Sequence, residues 1–569
     1  YTTTTQSTQE QLLKAELGLI SKYGKIQYEL ATLQRTGLYN GLKHLFTLDK
    51  TLSGFGLNSV VSYLTAENTN TKTVFFRPMV NLTKRLFSKE KQLEIGVGYE
   101  QELNQERNLI GDSLSPQSFN FVVLKSWIAK EGTKFGASLN ATNRKDYHIV
   151  SNQFRLLSNA NNLKLEGRFT PNANLRVVTN LTYRQLEVPE STSTLEPINS
   201  FLGRIEYNHN LAKGFLNLNS VYELGNGQQR KLEYTYLRVN VGEGSYIWID
   251  RNADNIPQIN EFETAPYKDQ ANFQRVLSTT NLYIPTQNLG FNLSLSLTPK
   301  RLFKKNVSNG FLKLVEKTSS QSLFRVDRRI QSSADYNLIL NPLADNIPDT
   351  SLVSLGTNIR NTLYFNRSDS KFGLEFWQQQ NSNKTALTTG AEARNTEEYG
   401  NKFRWNFTSQ LGFFNTFAIG ERSNTSQNFS ERNYQLTSLQ NEIKLQYTYK
   451  QHFRISLEYK YKQLNNQIGS KEQLTSHDIG SELSLNRSAK SDLRASFHWV
   501  GVEFTGTASN AVGFQMLEGL QTGTNLLWQL NYRQNLSQTL ELSLGYEGRK
   551  TGQQANIIHI GRAQLRANF

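Results

Sequence analysis

The residues best placed to do chemistry lie in one polar stretch, 241–272. Counted from Asp250, an acid stands at position 1, Asn252 at 3, Asp254 at 5 and Glu261 at 12. That is the ligand spacing of an EF-hand calcium loop. A hard cation such as calcium takes six to eight oxygens from a compact loop. Asp250, Asn252 and Asp254 would give side-chain oxygens and Ile256 its backbone carbonyl. Gln258 would bind directly or through water, and Glu261 with both carboxylate oxygens. Asn255 stands where such loops carry glycine, and Asn tolerates a left-handed turn better than most residues. No helical pattern flanks the loop, so the expected role of Ca2+ is structural. The competing reading is an Asx-rich surface turn whose spacing is fortuitous. A partial echo, Asp345 to Asp349, lacks the upstream acidic pair and is not taken as a second site.

Little else points to a reaction. The chain carries no G-x-S-x-G elbow, no H-E-x-x-H, no P-loop and no dinucleotide fingerprint, so it is not expected to be an enzyme. It has no cysteine, which excludes disulfides and thiolate metal sites. Its seven histidines are scattered. His452 falls in a turn, where it should be solvated. His498 alternates with Phe497 and Trp499 and should face away from them. Glu397 and Glu398 are expected in a loop as solvated charge.

The elements carrying these residues are strands. In Asn441 to Lys462, Ile443, Leu445, Tyr447 and Tyr449 alternate with polar residues, as do Phe453, Ile455, Leu457, Tyr459 and Tyr461. A period of two is the mark of a strand with one apolar face. Runs of about nine or ten residues suit a tilted strand crossing a hydrocarbon layer. The pattern recurs along the chain and predicts roughly 26 strands. The expected fold is all-β, a single large antiparallel transmembrane β-barrel with long extracellular loops. Residues 1–10 read as an N-terminal linker and 11–569 as the barrel. Separate strands are expected at 149–157 and 163–169, at 215–222 and 231–240, and at 273–284 and 289–297. Residues 36–52 are ambiguous, 331–356 read as loop, and no helix is convincing.

The last strand runs through His559, Gly561, Ala563, Leu565 and Ala567 to Phe569. A terminal aromatic on an alternating strand looks like the signal that the barrel-assembly machinery recognises. If that strand ends in the periplasm, the turns near 450–452 and 534–538 are periplasmic. The stretches 241–272, 331–356, 380–400, 423–438, 463–476 and 505–523 are then extracellular, and they are long, as such loops are. Before about residue 230 this parity fits less well: 186–199 is long yet falls on the periplasmic side, which points to a miscounted strand in that region.

The composition agrees with a barrel. Of 569 residues, 37% are hydrophobic, and the mean hydropathy is -0.55. No apolar run is long enough for a membrane helix. The net charge of +15 is spread along the chain, and no nucleic-acid-binding motif accompanies it. Nucleic acid is therefore not an expected partner; outer-membrane lipid and anionic lipopolysaccharide are.

The segment from Trp248 through Glu263, followed by Asp269 to Val276, resembles one in large Bacteroidota outer-membrane β-barrel proteins. The resemblance implies a bacterial outer-membrane location, loops at the cell surface, and a place as the barrel portion of a longer polypeptide. Asp112-Ser113-Leu114 also matches the short O-glycosylation acceptor pattern of that phylum. The expected function is a non-enzymatic component of an outer-membrane or cell-surface assembly, with protein partners. The alternative is a porin or export channel for solute, polypeptide or glycan, and a third class is a soluble β-rich adhesin.

Overall fold

Two neighbouring strands, Tyr434–Tyr449 and Phe453–Asn466, show how the alternation is used. Their antiparallel register sets Ile443 opposite Tyr459, Leu445 opposite Leu457, and Tyr447 opposite Ile455. On the other face Lys444 lies opposite Glu458, and the pair forms an ion pair at 3.3 Å. The apolar face is the one left open, with Leu445 44% and Leu457 60% exposed. A soluble sheet hides its apolar face in a core; this one presents it outward, as a wall facing lipid does.

The computed structural model describes residues 10–22, 24–87, 93–189, 198–303, 310–331, 341–344, 352–387, 390–450, 452–487, 490–537, 539–552 and 556–567. Phe569, on which the C-terminal signal rests, and Asp345 to Asp349 lie outside these residues. Among the described residues there are 27 strands, of which Tyr246–Trp248 and Phe262–Thr264 have only three residues each, leaving 25 long ones. No described helix is long and apolar enough to cross a membrane.

The chain divides into two compact units, Tyr1–Asn208 with Val221–Gly227, and His209–Ser220 with Gln228–Phe569. In the first, each strand from Glu10–Ser21 to Leu175–Glu187 pairs antiparallel with the next in sequence. In the second, the same meander runs from Phe273–Leu297 to Ile558–Ala567. Within each of these two runs, sequence neighbours thus become sheet neighbours, the arrangement that hairpin connections allow.

Several strand expectations need correction. Residues 149–157 and 163–169 belong mostly to one strand, Gln153–Asn172. Leu216–Arg238 and Phe273–Leu297 likewise each replace two expected strands. The supposed breaks were polar or turn-like runs, such as Gly225 with Gly227, or Pro285. Pro285 sits one residue beyond Thr286, where pairing with Thr318–Gln331 stops, so its missing N–H breaks no bond of that ladder. Conversely, Tyr39–Leu52 and Thr318–Gln331 are strands that the alternation did not mark. Each contains two adjacent apolar residues, Leu45-Phe46 and Leu323-Phe324, which interrupt a period of two.

Uniting 215–222 with 231–240 in Leu216–Arg238 also repairs the parity of 186–199 counted from the last strand, the merger in Phe273–Leu297 being offset by the added strand Thr318–Gln331. Within the first unit, 188–197 falls on the same edge as the long 109–118 segment, opposite the short 53–54 and 173–174 turns. Several expected loops shrink: Phe372–Leu387 and Gly390–Asn406 leave only 388–389 of the stretch 380–400. Glu397 and Glu398 are consequently strand residues. Two short helices, Gly310–Glu316 and Ala511–Leu517, also occur. Seven residues are too few to display a helical period, but Asn510 caps the second helix by accepting from the Gly513 N–H at 2.6 Å.

Candidate functional site

The segment 239–272 of the second unit folds around the small hairpin Tyr246–Trp248 and Phe262–Thr264. Phe262 stacks on Tyr236 at 4.0 Å and meets Phe273 edge-on at 5.0 Å, which fixes the hairpin to the strands it leaves and enters. The EF-hand-like turn lies at the hairpin tip. Asp250 Oδ2 accepts from the Asn255 N–H at 2.9 Å, and Asn255 adopts φ 59°. Position 6 therefore takes the left-handed conformation that such a loop requires. Asp254 accepts from the Ile256 N–H at 2.7 Å and from the Asn252 and Gln258 amides at 2.8 and 2.7 Å.

Asp250, Asn252, Asp254 and Gln258 are thus drawn into one turn, with the Ile256 backbone joined to it. Glu261 is only 2% exposed, and its oxygens accept from Trp248 Nε1, the Arg251 N–H and the Gln258 N–H. Asp250 Oδ1 is buried with no hydrogen-bond partner. An unsatisfied buried carboxylate oxygen is costly and is the feature a cation would relieve. Among the described residues, no group of three or more His, Asp or Glu side chains is gathered closely enough to hold a metal by itself. A cation here would therefore depend on Asn252, Gln258 and backbone oxygens as well. The donor set is all oxygen, which suits calcium.

The other end of the segment is tied to the inner, polar face of the same unit. Glu263 accepts from Arg251 at 2.9 Å and from Gln515 at 3.0 Å, with Arg432 at 3.9 Å. Asp269 receives both Arg549 nitrogens, at 2.8 and 2.5 Å, and that guanidinium lies 3.9 Å from the centre of the Tyr267 ring. The Arg549 guanidinium, through these hydrogen bonds, holds the Asp269 carboxyl below the usual carboxylate range. Beside this attachment, the Ala511–Leu517 helix buries Val512, Met516 and Leu517 against Leu436, Leu464, Leu474, Val500 and Val502. Those strand residues share a parity opposite to the exposed Leu457, Ile479 and Trp499. The segments 239–272 and 506–522 are therefore folded onto the inner face.

Farther along that face lies a charged ladder. Lys444 stands 3.3 Å from both Glu458 and Glu482. His498 does face away from Phe497 and Trp499, as its alternation implied. Its Nδ1 is 3.0 Å from Asp478 and its Nε2 3.6 Å from Glu458. Gly480 lies opposite both Glu458 and His498 in the register, and a Cβ there would come 2.7 Å from the imidazole. The glycine lets the ring lie across its strand.

Sequence reading did not find the Glu263 and Asp269 attachments, because their partners are 252 and 280 residues away. It also missed the recurrent pairing of tyrosine with histidine on the apolar face: Tyr28 with His44, Tyr459 with His477 and Tyr546 with His559, at 2.7, 2.8 and 2.8 Å. In each case the histidine lies two residues before the residue opposite the tyrosine. His452 is engaged by the Asn486 carbonyl at 2.9 Å. Ser113 accepts from Asn108 at 3.2 Å.

No family model and no curated protein matches the sequence. Solved structures do resemble the chain. A ferric enterobactin receptor of Pseudomonas aeruginosa is 10% identical, with 95% of this chain and 74% of that one covered and a TM-score of 0.32. An outer membrane transporter of Escherichia coli is 7% identical, covering 92% and 74%, at 0.29. OmpF of Salmonella typhi is 8% identical, covering 78% and 98%, at 0.25. Independently of these, strand length, alternation and the exposed apolar face make this chain an all-β antiparallel protein whose outward face suits lipid.

Proposed function

We propose that the chain is a non-enzymatic outer-membrane β-barrel that passes small polar solutes along its inner face. The observation supporting this most is the sorting of the two faces. The outward one is apolar and open, and the inner one carries the Lys444, Glu458, Asp478, Glu482 and His498 ladder. The segments folded onto that face would restrict passage. In proteoliposome swelling, the lone chain should admit a monosaccharide faster than a trisaccharide. Folded protein that leaves both excluded would sink the proposal.

A second reading, a component of an outer-membrane assembly, has its own support. On the apolar face, Asn361 donates to Gln378 at 3.2 Å and Asn415 to Asn441 at 2.8 Å. Carboxamides are costly against lipid and serve well against a protein partner. A partner co-purifying from native membranes, and lost when Asn415 and Asn441 are replaced by leucine, would favour this reading.

Calcium belongs to the proposal as a stiffener of the Asp250 turn. Asp250, Asn252, Asp254, Ile256 and Gln258 would hold it, and Glu261 would join them by giving up one of its bonds from the Trp248, Arg251 and Gln258 N–H groups. The buried, unpartnered Asp250 Oδ1 supports this. Wild type should melt higher in millimolar calcium than in chelator, and Asp250→Ala should not.

A further inference from the structure

A cavity of about 270 Å3 opens on the inner face of the second unit. Leu527, Ile558 and Ile560 make its apolar side, His498 and Glu547 its polar side, and Tyr267 reaches it from the docked segment. Its volume lies just under the range for drug-sized ligands, which leaves room for a small molecule.

The charges lining it are unequal. Arg549 is neutralised by its two-pronged pair with Asp269. The two ring nitrogens of His498 each face a carboxylate, Asp478 and Glu458. Glu547 has neither a hydrogen bond nor an ion pair among the described residues. The cavity therefore offers an uncommitted carboxylate beside two isoleucines and an aromatic ring. A carboxylate in a partly enclosed site pairs most strongly with a cationic N–H donor.

We propose that this cavity is a binding site for a small organic ammonium ion. Its charge lies against Glu547 and its carbon body against Ile558, Ile560 and the Tyr267 ring. As a site on the route of passage it rests on the solute-passage reading, for which it names the substrate class.

The test is calorimetric titration of the full chain in detergent with n-butylammonium, and with n-butanol as a neutral match of similar size. Butylammonium should bind saturably and n-butanol should not. Glu547→Gln should weaken butylammonium about ten-fold, the loss of one charge-assisted contact. Ile560→Trp, which fills the apolar side, should abolish binding while leaving the carboxylate in place, so the test stands even where Glu547→Gln does not fold. No binding by wild type, equal binding of both probes, or unchanged affinity in either folded variant would overturn the site. Ammonium binding by a chain that swells no liposome would sink the passage reading and leave the cavity. Swelling without ammonium binding would sink the cavity alone.

Discussion

The two ends of the segment 239–272 are held in different ways. The tip, from Asp250 to Gln258, is an exposed turn satisfied mainly by its own side chains. The returning end, from Glu263 to Asp269, is fastened to residues hundreds of positions away, through the buried Glu263 carboxylate to Gln515 and the half-buried Asp269 to Arg549. Local hydrogen bonds shape a turn without placing it. Long-range ion pairs place a segment without requiring any local motif. The tip is therefore where a cation would act, and the returning end is where docking onto the inner face is decided.

The largest effect should come from the fastened end. Arg549→Ala leaves the Asp269 carboxylate partly buried without its partner, a loss of about 3 kcal/mol for a pair of this kind. The expected readout is rapid proteolytic cleavage within 239–272 while the strands stay protected from hydrogen exchange. Next is Glu263→Gln, which keeps one acceptor for Gln515 but weakens the pair with Arg251. A cost of about 1 to 2 kcal/mol is expected, seen as intermediate cleavage.

Acid should distinguish the ends in the same way. The Asp269 pKa is lowered in the folded protein, chiefly by hydrogen bonds from Arg549. Its stabilising contribution is therefore complete above the unfolded carboxyl value near 3.8 and fades as pH falls through the lower folded value. Cleavage of the segment should rise over that acidic window in wild type, and Asp269→Asn should remove the step. The smallest effect belongs to the tip. Without calcium, Asp250→Ala should change stability by less than about 1 kcal/mol, since losing the bond from the Asn255 N–H is offset by removing the unsatisfied Oδ1.

The wall was legible because lipid contact imposes a period of two, and Ile443 to Tyr461 obeys it in both strands. Strands that break the period were missed. Leu323-Phe324 places one residue on each face, and the polar middle of Leu216–Arg238, with Gly225 and Gly227, looks like a turn in the sequence. The Asp250 turn was legible because its geometry is local, including the left-handed Asn255. The attachments were not. Nothing near Asp269 names Arg549, and nothing near Glu263 names Gln515; only the folded sheet brings them together. The inner-face helix was hidden for the same reason, its apolar residues matching strand residues up to 81 positions earlier, from Leu436 to Leu517.

Single-channel recording in a planar bilayer tests the central claim most directly, comparing wild type with Arg549→Ala. If 239–272 restricts passage while Asp269 grips Arg549, wild type gives small, steady steps and Arg549→Ala gives larger, noisier ones. Identical conductance in the two folded proteins, or silence from both, would contradict the account.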